Sequence, residues 1–317
     1  MNIGEVLARA TTRLRAAGID SARLDARVLL AHVLGVEPNE LATTEFPLPN
    51  AGGGEARSAS GEGADDIPLP RAASRRAPSH KGREKIIVEF ESLITRRIAR
   101  EPIAYIIGKK GFWDLEFEVG PGALVPRPET ETLIEEAQRL FPDKSATLKI
   151  LDLGVGTGCI LLTLLHLYSN ATGLGVDSSE PALQWARRNA AQLNLESRCR
   201  LRLADWSEIA ESGFDLVVSN PPYLTAEDMA SLQPELLHEP AEALSGGADG
   251  LAAYRGIAAL LPRLLAPNGC AVLEIGMGQG PAVSAIIGAA GLEILRLTPD
   301  LSRIPRCVTA RMVPAAP

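Results

Sequence analysis

Cysteine and histidine are scarce in this chain, four of each among 317 residues. Cys159, Cys199, Cys270 and Cys307 form no Cys-x-x-Cys pair, and none stands at ligand spacing from a histidine. That argues against a zinc site, a redox dithiol or a disulfide framework and leaves reduced core thiols as the expectation. His166, in an apolar helical stretch, is expected to pack. Long apolar runs are missing too: no segment reaches membrane-spanning length, and Met1-Asn2-Ile3-Gly4-Glu5 reads as the opening of a helix, not of a signal peptide. There is no excess of positive charge. A net charge of −7 and a pI near 5.3 argue against a protein that wraps nucleic acid through phosphate contacts. The expectation is a soluble, cytoplasmic protein that uses no metal.

What is present begins with apolar content of 46%, enough at this length for a large core and two domains. Residues 2–45 carry helical periodicity. Val6, Leu7, Ala10 and Leu14 share one face, and Leu24, Val28, Leu29 and Val33 repeat the pattern after the break Gly18-Ile19-Asp20. Asp20 or Ser21 is the expected N-cap and Gly35 the expected stop. The pattern resumes with Ile86, Ile87, Phe90, Leu93, Ile94 and Ile98, so residues 1–46 and 84–100 are predicted to form a small helical domain. Between them, residues 47–83 open with Pro47-Leu48-Pro49-Asn50-Ala51-Gly52-Gly53-Gly54 and carry almost no large apolar side chains. Such a stretch is predicted to be a disordered insert. Its cluster Arg71, Arg75, Arg76, His80, Lys81, Arg83 and Lys85 reads as solvated linker charge, with contact to ribosomal RNA as the sharper alternative. Residues 101–122 are predicted to be a connecting hairpin: a strand at 105–107, a turn through 108–111 and a strand at 115–119. A helix is then expected from about Pro128, with Glu129 and Glu131 in its first turn, to about Phe141.

From residue 148 onward, strands alternate with helices, which predicts a doubly wound, mostly parallel sheet. Four successive strands end in polar signatures. The first runs into Gly154-Val155-Gly156-Thr157-Gly158 and a helix; glycines there let the backbone approach a ligand, and a helix N-terminus favours a carboxylate. A dinucleotide fingerprint is the rival, but it separates its second and third glycines by two residues, where this loop has one. The second strand ends at Asp177, where an acid typically holds a ribose diol. The third ends at Asp205-Trp206, a pair suited either to an adenine amine and ring or to a plain cap with a packed indole. The fourth, residues 214–219, ends at Asn220-Pro221-Pro222-Tyr223. Two prolines stiffen the backbone, so a carboxamide, a backbone carbonyl and an aromatic ring are held together at the strand's edge. Asn220 and the Pro221 carbonyl can accept from the two N–H bonds of a flat amide or amino group, turning its lone pair towards an incoming methyl group. An Asn-Pro turn that merely closes a strand is the alternative. The polar stretch 224–250 is expected to bind substrate. A helix (252–265), a strand (270–275), a helix (281–290) and two strands (292–297 and 306–312) are expected to complete the sheet.

From about Glu101 to Met312 the chain resembles the HemK/PrmC group, the protein-glutamine methyltransferases of peptide-chain release factors. The likeness rests on residues 101–108, Gly111-Phe112-Trp113, 125–131, 151–158, Asp205-Trp206 and 219–223. It implies a Rossmann-like, S-adenosylmethionine-dependent methyltransferase domain over residues 123–317, with a seven-stranded, mostly parallel sheet and an antiparallel last strand. It also implies that residues 154–158, Asp177, Asp205, Trp206 and Asn220 contact S-adenosylmethionine. Asn220, Pro221, Pro222 and Tyr223 would then serve catalysis and receive the target glutamine. The helical domain would help recognise the release factor, although support of folding alone explains it equally well. The implied product is a methyl group on the side-chain nitrogen of the Gly-Gly-Gln glutamine of class-one release factors. A monomer is expected, without stable nucleic-acid or membrane partners. A ribosomal-protein glutamine methyltransferase, an adenine-N6 methyltransferase and a non-catalytic module with the cofactor fold are the alternatives, in that order.

Overall fold

Asn2 starts the first helix, α1 (Ile3–Ala16), by a reciprocal cap. Its side chain accepts from the Glu5 N–H, and the Glu5 carboxylate accepts from the Asn2 N–H, both at 2.9 Å. The computed structural model describes residues 2–42 and 80–312. The chain packs as two units, Met1–Ile107 and Gly108–Pro317.

In the first unit, α1 is followed by α2 (Ala22–Leu34), a single 3-10 turn (Glu40–Ala42), α3 (His80–Ile98) and the short α4 (Ile103–Ile107). Gly35 stops α2 in the left-handed conformation. Leu14 of α1, Leu29 and Leu30 of α2, and Phe90 and Ile94 of α3 meet in one core. A buried ion pair crosses it, with Arg97 Nε donating to Asp25 Oδ2 at 2.7 Å. The expected helix start at residue 84 needs correction, because α3 begins at His80. Residues 80–85 are mostly charged or polar; they extend a helix by propensity without adding to the apolar period that betrays one. The rest of the expected insert, residues 47–79 with Arg71, Arg75 and Arg76, lies outside the described residues.

The second unit opens with a hairpin, β1 (Lys109–Phe112) and β2 (Leu115–Glu118), whose turn is Trp113-Asp114. Here too the expectation fails: residues 105–107 lie in α4, and Gly108 follows that helix at φ +79° instead of turning a hairpin. Pro102 begins the helical turn, its carbonyl accepting from the Ile106 N–H.

A 3-10 turn (Pro128–Thr130) leads into α5 (Glu131–Leu140). Then come β3 (Lys149–Leu153), α6 (Cys159–Leu167), β4 (Thr172–Asp177), α7 (Glu180–Gln192), β5 (Cys199–Leu203) and β6 (Phe214–Ser219). The remainder is α8 (Ala226–Ala230), two 3-10 turns (Pro234–His238 and Ala241–Ala243), α9 (Ala252–Leu264), β7 (Leu265–Glu274), α10 (Gly280–Ala289), β8 (Leu292–Pro299) and β9 (Pro305–Met312). Strands β3 to β9 form one seven-stranded sheet in the order β5-β4-β3-β6-β7-β9-β8, antiparallel only where β9 meets β7 and β8. β3 and β6 read as nearly unbroken apolar runs because helices cover both faces of a parallel sheet. Strand order reverses between them, and the Ser219 hydroxyl at the end of β6 donates to the Leu153 carbonyl at the end of β3, 2.6 Å away. The crevice at such a reversal is where open α/β sheets bind ligands.

The four cysteines are free and buried, whereas His166 departs from its expected packing. It lies on the exposed side of α6, 3.8 Å from the Asp114 carboxylate. Among the described residues no helix is long and apolar enough to cross a membrane. Asp25→Ala removes a buried charge-assisted hydrogen bond and should destabilise the first unit by about 1.5–3 kcal/mol, read by chemical denaturation; an unchanged midpoint would contradict the pair's contribution.

Candidate active site

The glycine loop is shaped by three left-handed residues, Gly154 at φ +79°, Gly156 at +55° and Gly158 at +84°. Their roles differ. The Gly154 N–H donates to the Val176 carbonyl and the Gly156 N–H to Asp177 Oδ2, at 2.8 and 2.9 Å, so the loop is stitched to the end of β4. Gly158 caps α6, and a methyl group there would lie 2.8 Å from Leu162 Cδ1. Beneath the loop Asp152 is fully buried, and desolvation pushes its carboxyl up to about 8, so it brings little charge at neutral pH.

Asp177 also accepts from the Ser179 N–H at 2.9 Å. A carboxylate offers about four lone-pair directions, so acceptor capacity remains for hydroxyl groups. Burial raises its pKa. Asp205 caps the 3-10 turn Trp206–Glu208, accepting from the Ser207 N–H and hydroxyl at 2.9 and 2.6 Å. The local capping geometry and a place on the cavity wall thus coexist in one residue.

A cavity of about 510 Å³ brings together Gly154, Val155, Gly156, Thr157, Asp177, Asp205, Trp206, Asn220, Pro221 and Pro222. Gly158 is not in its lining; its conformation serves the start of α6. Tyr223 is not there either. It lines a second cavity of about 540 Å³, together with Leu236, Glu274 and Arg306. Asn220 and Pro221 line both cavities, which makes the start of the turn a shared wall.

Resemblance alone sets residues 125–130 beside the cofactor pocket, and Val125, Arg127 and Thr130 do line the first cavity; Glu239, Glu274 and Gln279 went unnoticed in the sequence. The Asn220 amide nitrogen donates to Thr130 Oγ1 at 3.1 Å, and the Thr130 hydroxyl donates to Glu274 Oε2 at 2.5 Å. The Tyr223 hydroxyl lies 3.5 Å from Glu274 Oε1. Glu274 is 1% exposed, and burial pushes its carboxyl up to about 7. Burial and the nearby Glu274 push the Tyr223 phenol up to about 12, so it stays protonated at neutral pH. Gln279 holds the turn from behind. Its amide nitrogen donates to the Tyr223 carbonyl and its oxygen accepts from the Gly276 N–H, both at 3.0 Å. Across the cavity, the buried Glu239 accepts from the Val125 N–H at 2.9 Å and from the Arg127 guanidinium at 2.5 Å, tying the stretch before α5 to the polar loop after β6. Cys159, the one thiol among the described residues lining the first cavity, is no activated nucleophile: it is buried and its pKa is pushed up to about 12. The arrangement suits positioning and electrostatics.

Residues 5–51 match the PrmC N-terminal domain and residues 144–274 a methyltransferase domain. The release factor glutamine methyltransferase of Cereibacter sphaeroides is 43% identical over 317 residues, covering 100% of both chains. The chain belongs to the release factor glutamine methyltransferase family. Family members of the same name from Caulobacter vibrioides and Rhodospirillum rubrum are 40% and 38% identical, over 94% and 99% of this chain and 92% and 86% of their own. The likeness thus spans both units.

Gly158 offers a local check that separates loop shape from ligand contact. A side chain in the left-handed region costs about 1–2 kcal/mol. Gly158→Ala should therefore lower stability in a thermal melt by at least that amount, and an unchanged melt would show that the loop relaxes freely.

Proposed function

We propose that this chain transfers a methyl group from S-adenosylmethionine to the side-chain amide nitrogen of the glutamine in the Gly-Gly-Gln motif of class-one release factors. The observation that carries this reading is the shared wall: Asn220 and Pro221 line the cavity of the glycine loop on one side and the cavity of Tyr223 on the other. The relatives' names supply the substrate class. The first cavity fits the cofactor. It has a glycine backbone that a ligand can approach, a carboxylate at the end of β4 for a ribose, an indole for a base, and a volume in the range of small-molecule sites.

S-adenosylmethionine supplies an electrophilic methyl group on a sulfonium. Gly154, Val155, Gly156, Thr157, Asp177, Asp205 and Trp206 hold it, and Asn220 meets it at the wall. An amide nitrogen is a poor nucleophile because its lone pair is delocalised into the carbonyl. The Asn220 oxygen and the Pro221 carbonyl accept from its two N–H bonds and present the lone pair to the methyl group, while Tyr223 covers the flat face. Nothing in this scheme needs a covalent enzyme intermediate or a metal. The N-terminal helical unit recognises the release factor, residues 108–122 connect it to the catalytic domain, and the enzyme acts as a cytoplasmic monomer without a stable nucleic-acid or membrane partner.

The deciding experiment incubates the protein with labelled cofactor and, separately, a class-one release factor, ribosomal protein and DNA. Peptide mass spectrometry should place one methyl group on the glutamine side chain; a methylated adenine beside an unmodified glutamine would move the protein to nucleic-acid chemistry. In calorimetry, Asp177→Ala should weaken cofactor binding by roughly 1.5–3 kcal/mol, the range for hydrogen bonds to a charged group. Unchanged affinity in the folded variant would remove Asp177 from the site. Asn220→Ala should lower kcat about a hundredfold at saturating cofactor, as when one preorganised transition-state partner is lost. Asn220→Asp, which keeps an acceptor oxygen, should retain more activity, and full activity in the alanine variant would sink the role of the turn.

A further inference from the structure

We propose that Glu274, acting through the Thr130 hydroxyl, decides which end of the Asn220 carboxamide faces the target. This inference rests on the reading of Asn220 as an acceptor for the target amide and adds two positioning residues to it. The oxygen and nitrogen of a carboxamide are nearly equal in size, so packing alone holds either orientation, yet only the oxygen can accept. A flipped Asn220 would offer a donor where the target NH2 group needs an acceptor.

The hydrogen-bond chain resolves the choice because its direction is forced from one end. An ionised carboxylate can only accept, so the Thr130 hydrogen is committed to Glu274 at 2.5 Å. Thr130 Oγ1 is left with lone pairs alone and can take only the nitrogen end of Asn220, at 3.1 Å. The Asn220 oxygen is thereby turned away from Thr130. The three residues come from separate elements: the 3-10 turn before α5, the end of β6 and the end of β7. Thr130 and Glu274 are 2% and 1% exposed, so bulk water does not compete for the chain.

The same logic gives a pH dependence. A protonated Glu274 can itself donate to Thr130, freeing the Thr130 hydrogen to point at the oxygen of Asn220 and removing the bias. Around Glu274 stand the guanidinium of Arg306, which favours the ionised form, and the carboxylate of Glu129, which opposes it. The phenols of Tyr223 and Tyr254 and the thiols of Cys159 and Cys307 are also near, all raised and neutral at ordinary pH. Burial outweighs Arg306 and sets the midpoint at about 7. The bias is present above that midpoint and fades as pH falls through it.

The test uses the full chain, a class-one release factor and saturating S-adenosylmethionine. Thr130→Val keeps the shape and loses the hydroxyl; it should lower kcat at saturating cofactor about tenfold, the worth of roughly one hydrogen bond. Thr130→Ser keeps the hydroxyl and loses the methyl; it should keep the wild-type kcat. A purely structural role for Thr130 predicts the opposite order. Glu274→Gln can donate as well as accept, so it should lose a similar factor in kcat and also lose the rise of kcat with pH through the midpoint near 7 that is expected of the wild type. The double variant Thr130→Val/Glu274→Gln should be no worse than the poorer single one. Full activity in Thr130→Val, or an unchanged pH profile in Glu274→Gln, overturns the inference. Should Thr130→Val fail to fold, Thr130→Ser and the Glu274→Gln profile decide it by the same criteria. A wild-type enzyme that leaves the release factor unmodified instead refutes the parent reading, and the same variants are then read on whichever amide or amino group the wild type does methylate.

Discussion

The parallel pairing of β3 with β6 is the contact on which the rest of the site depends. Its register sets Ile150 beside Leu216 and Asp152 beside Val218, and the Ser219 hydroxyl closes the far end on the Leu153 carbonyl. The chain between those strands runs outward through β4 and β5 and returns, so two segments far apart in sequence emerge side by side. One is the glycine loop and the other is the proline turn. With both strand ends tied at the same height, Asn220 stands at the mouth of the loop's cavity. A slip of one residue in this pairing would turn each side chain of the slipped strand to the opposite face and separate the loop from the turn.

Around that junction, ionisable groups are held largely in their neutral forms. Burial raises Asp152 beneath the loop, which carries little charge at neutral pH, and keeps the Cys159 thiol and Tyr223 phenol on the cavity walls protonated. Charge is kept where it has a partner. Arg127 meets Glu239, and Asp177 is held by two backbone N–H groups. The result is a site whose electrostatics come from oriented dipoles more than from free ions, which is the form that reorganises least during a reaction.

Much of the site was legible in the sequence because a parallel sheet collects its strand ends on one edge. Glycine loop, acid, Asp-Trp pair and proline turn appear in order along the chain, and each sits where a strand stops. What could not be read has a common cause. Thr130, Glu274 and Gln279 act through partners far along the chain, Thr130 and Glu274 lying 144 residues apart, and such contacts leave no periodic trace. Glu274 falls unremarked inside the expected strand 270–275, and Thr130 inside an expected helix start. The errors of local structure are equally physical. Gly108 was read as a hairpin turn because glycine marks both turns and helix ends, while the actual turn is made by Trp113 in the left-handed region. His166 sits on the one side of α6 that the core does not cover, and no count of apolar neighbours reveals which side that is. Asp205 caps its 3-10 turn and also lines the cavity, since the two placements do not compete.

The consecutive prolines have one more consequence. Pro221 and Pro222 carry no backbone N–H, so this stretch of turn contributes carbonyl oxygens and no donors to the wall between the cavities. One N–H of the Asn220 amide is given to Thr130, which turns the Asn220 oxygen away from it. A carboxylate brought against those carbonyls would set lone pairs against lone pairs, whereas a carboxamide has N–H groups to offer them.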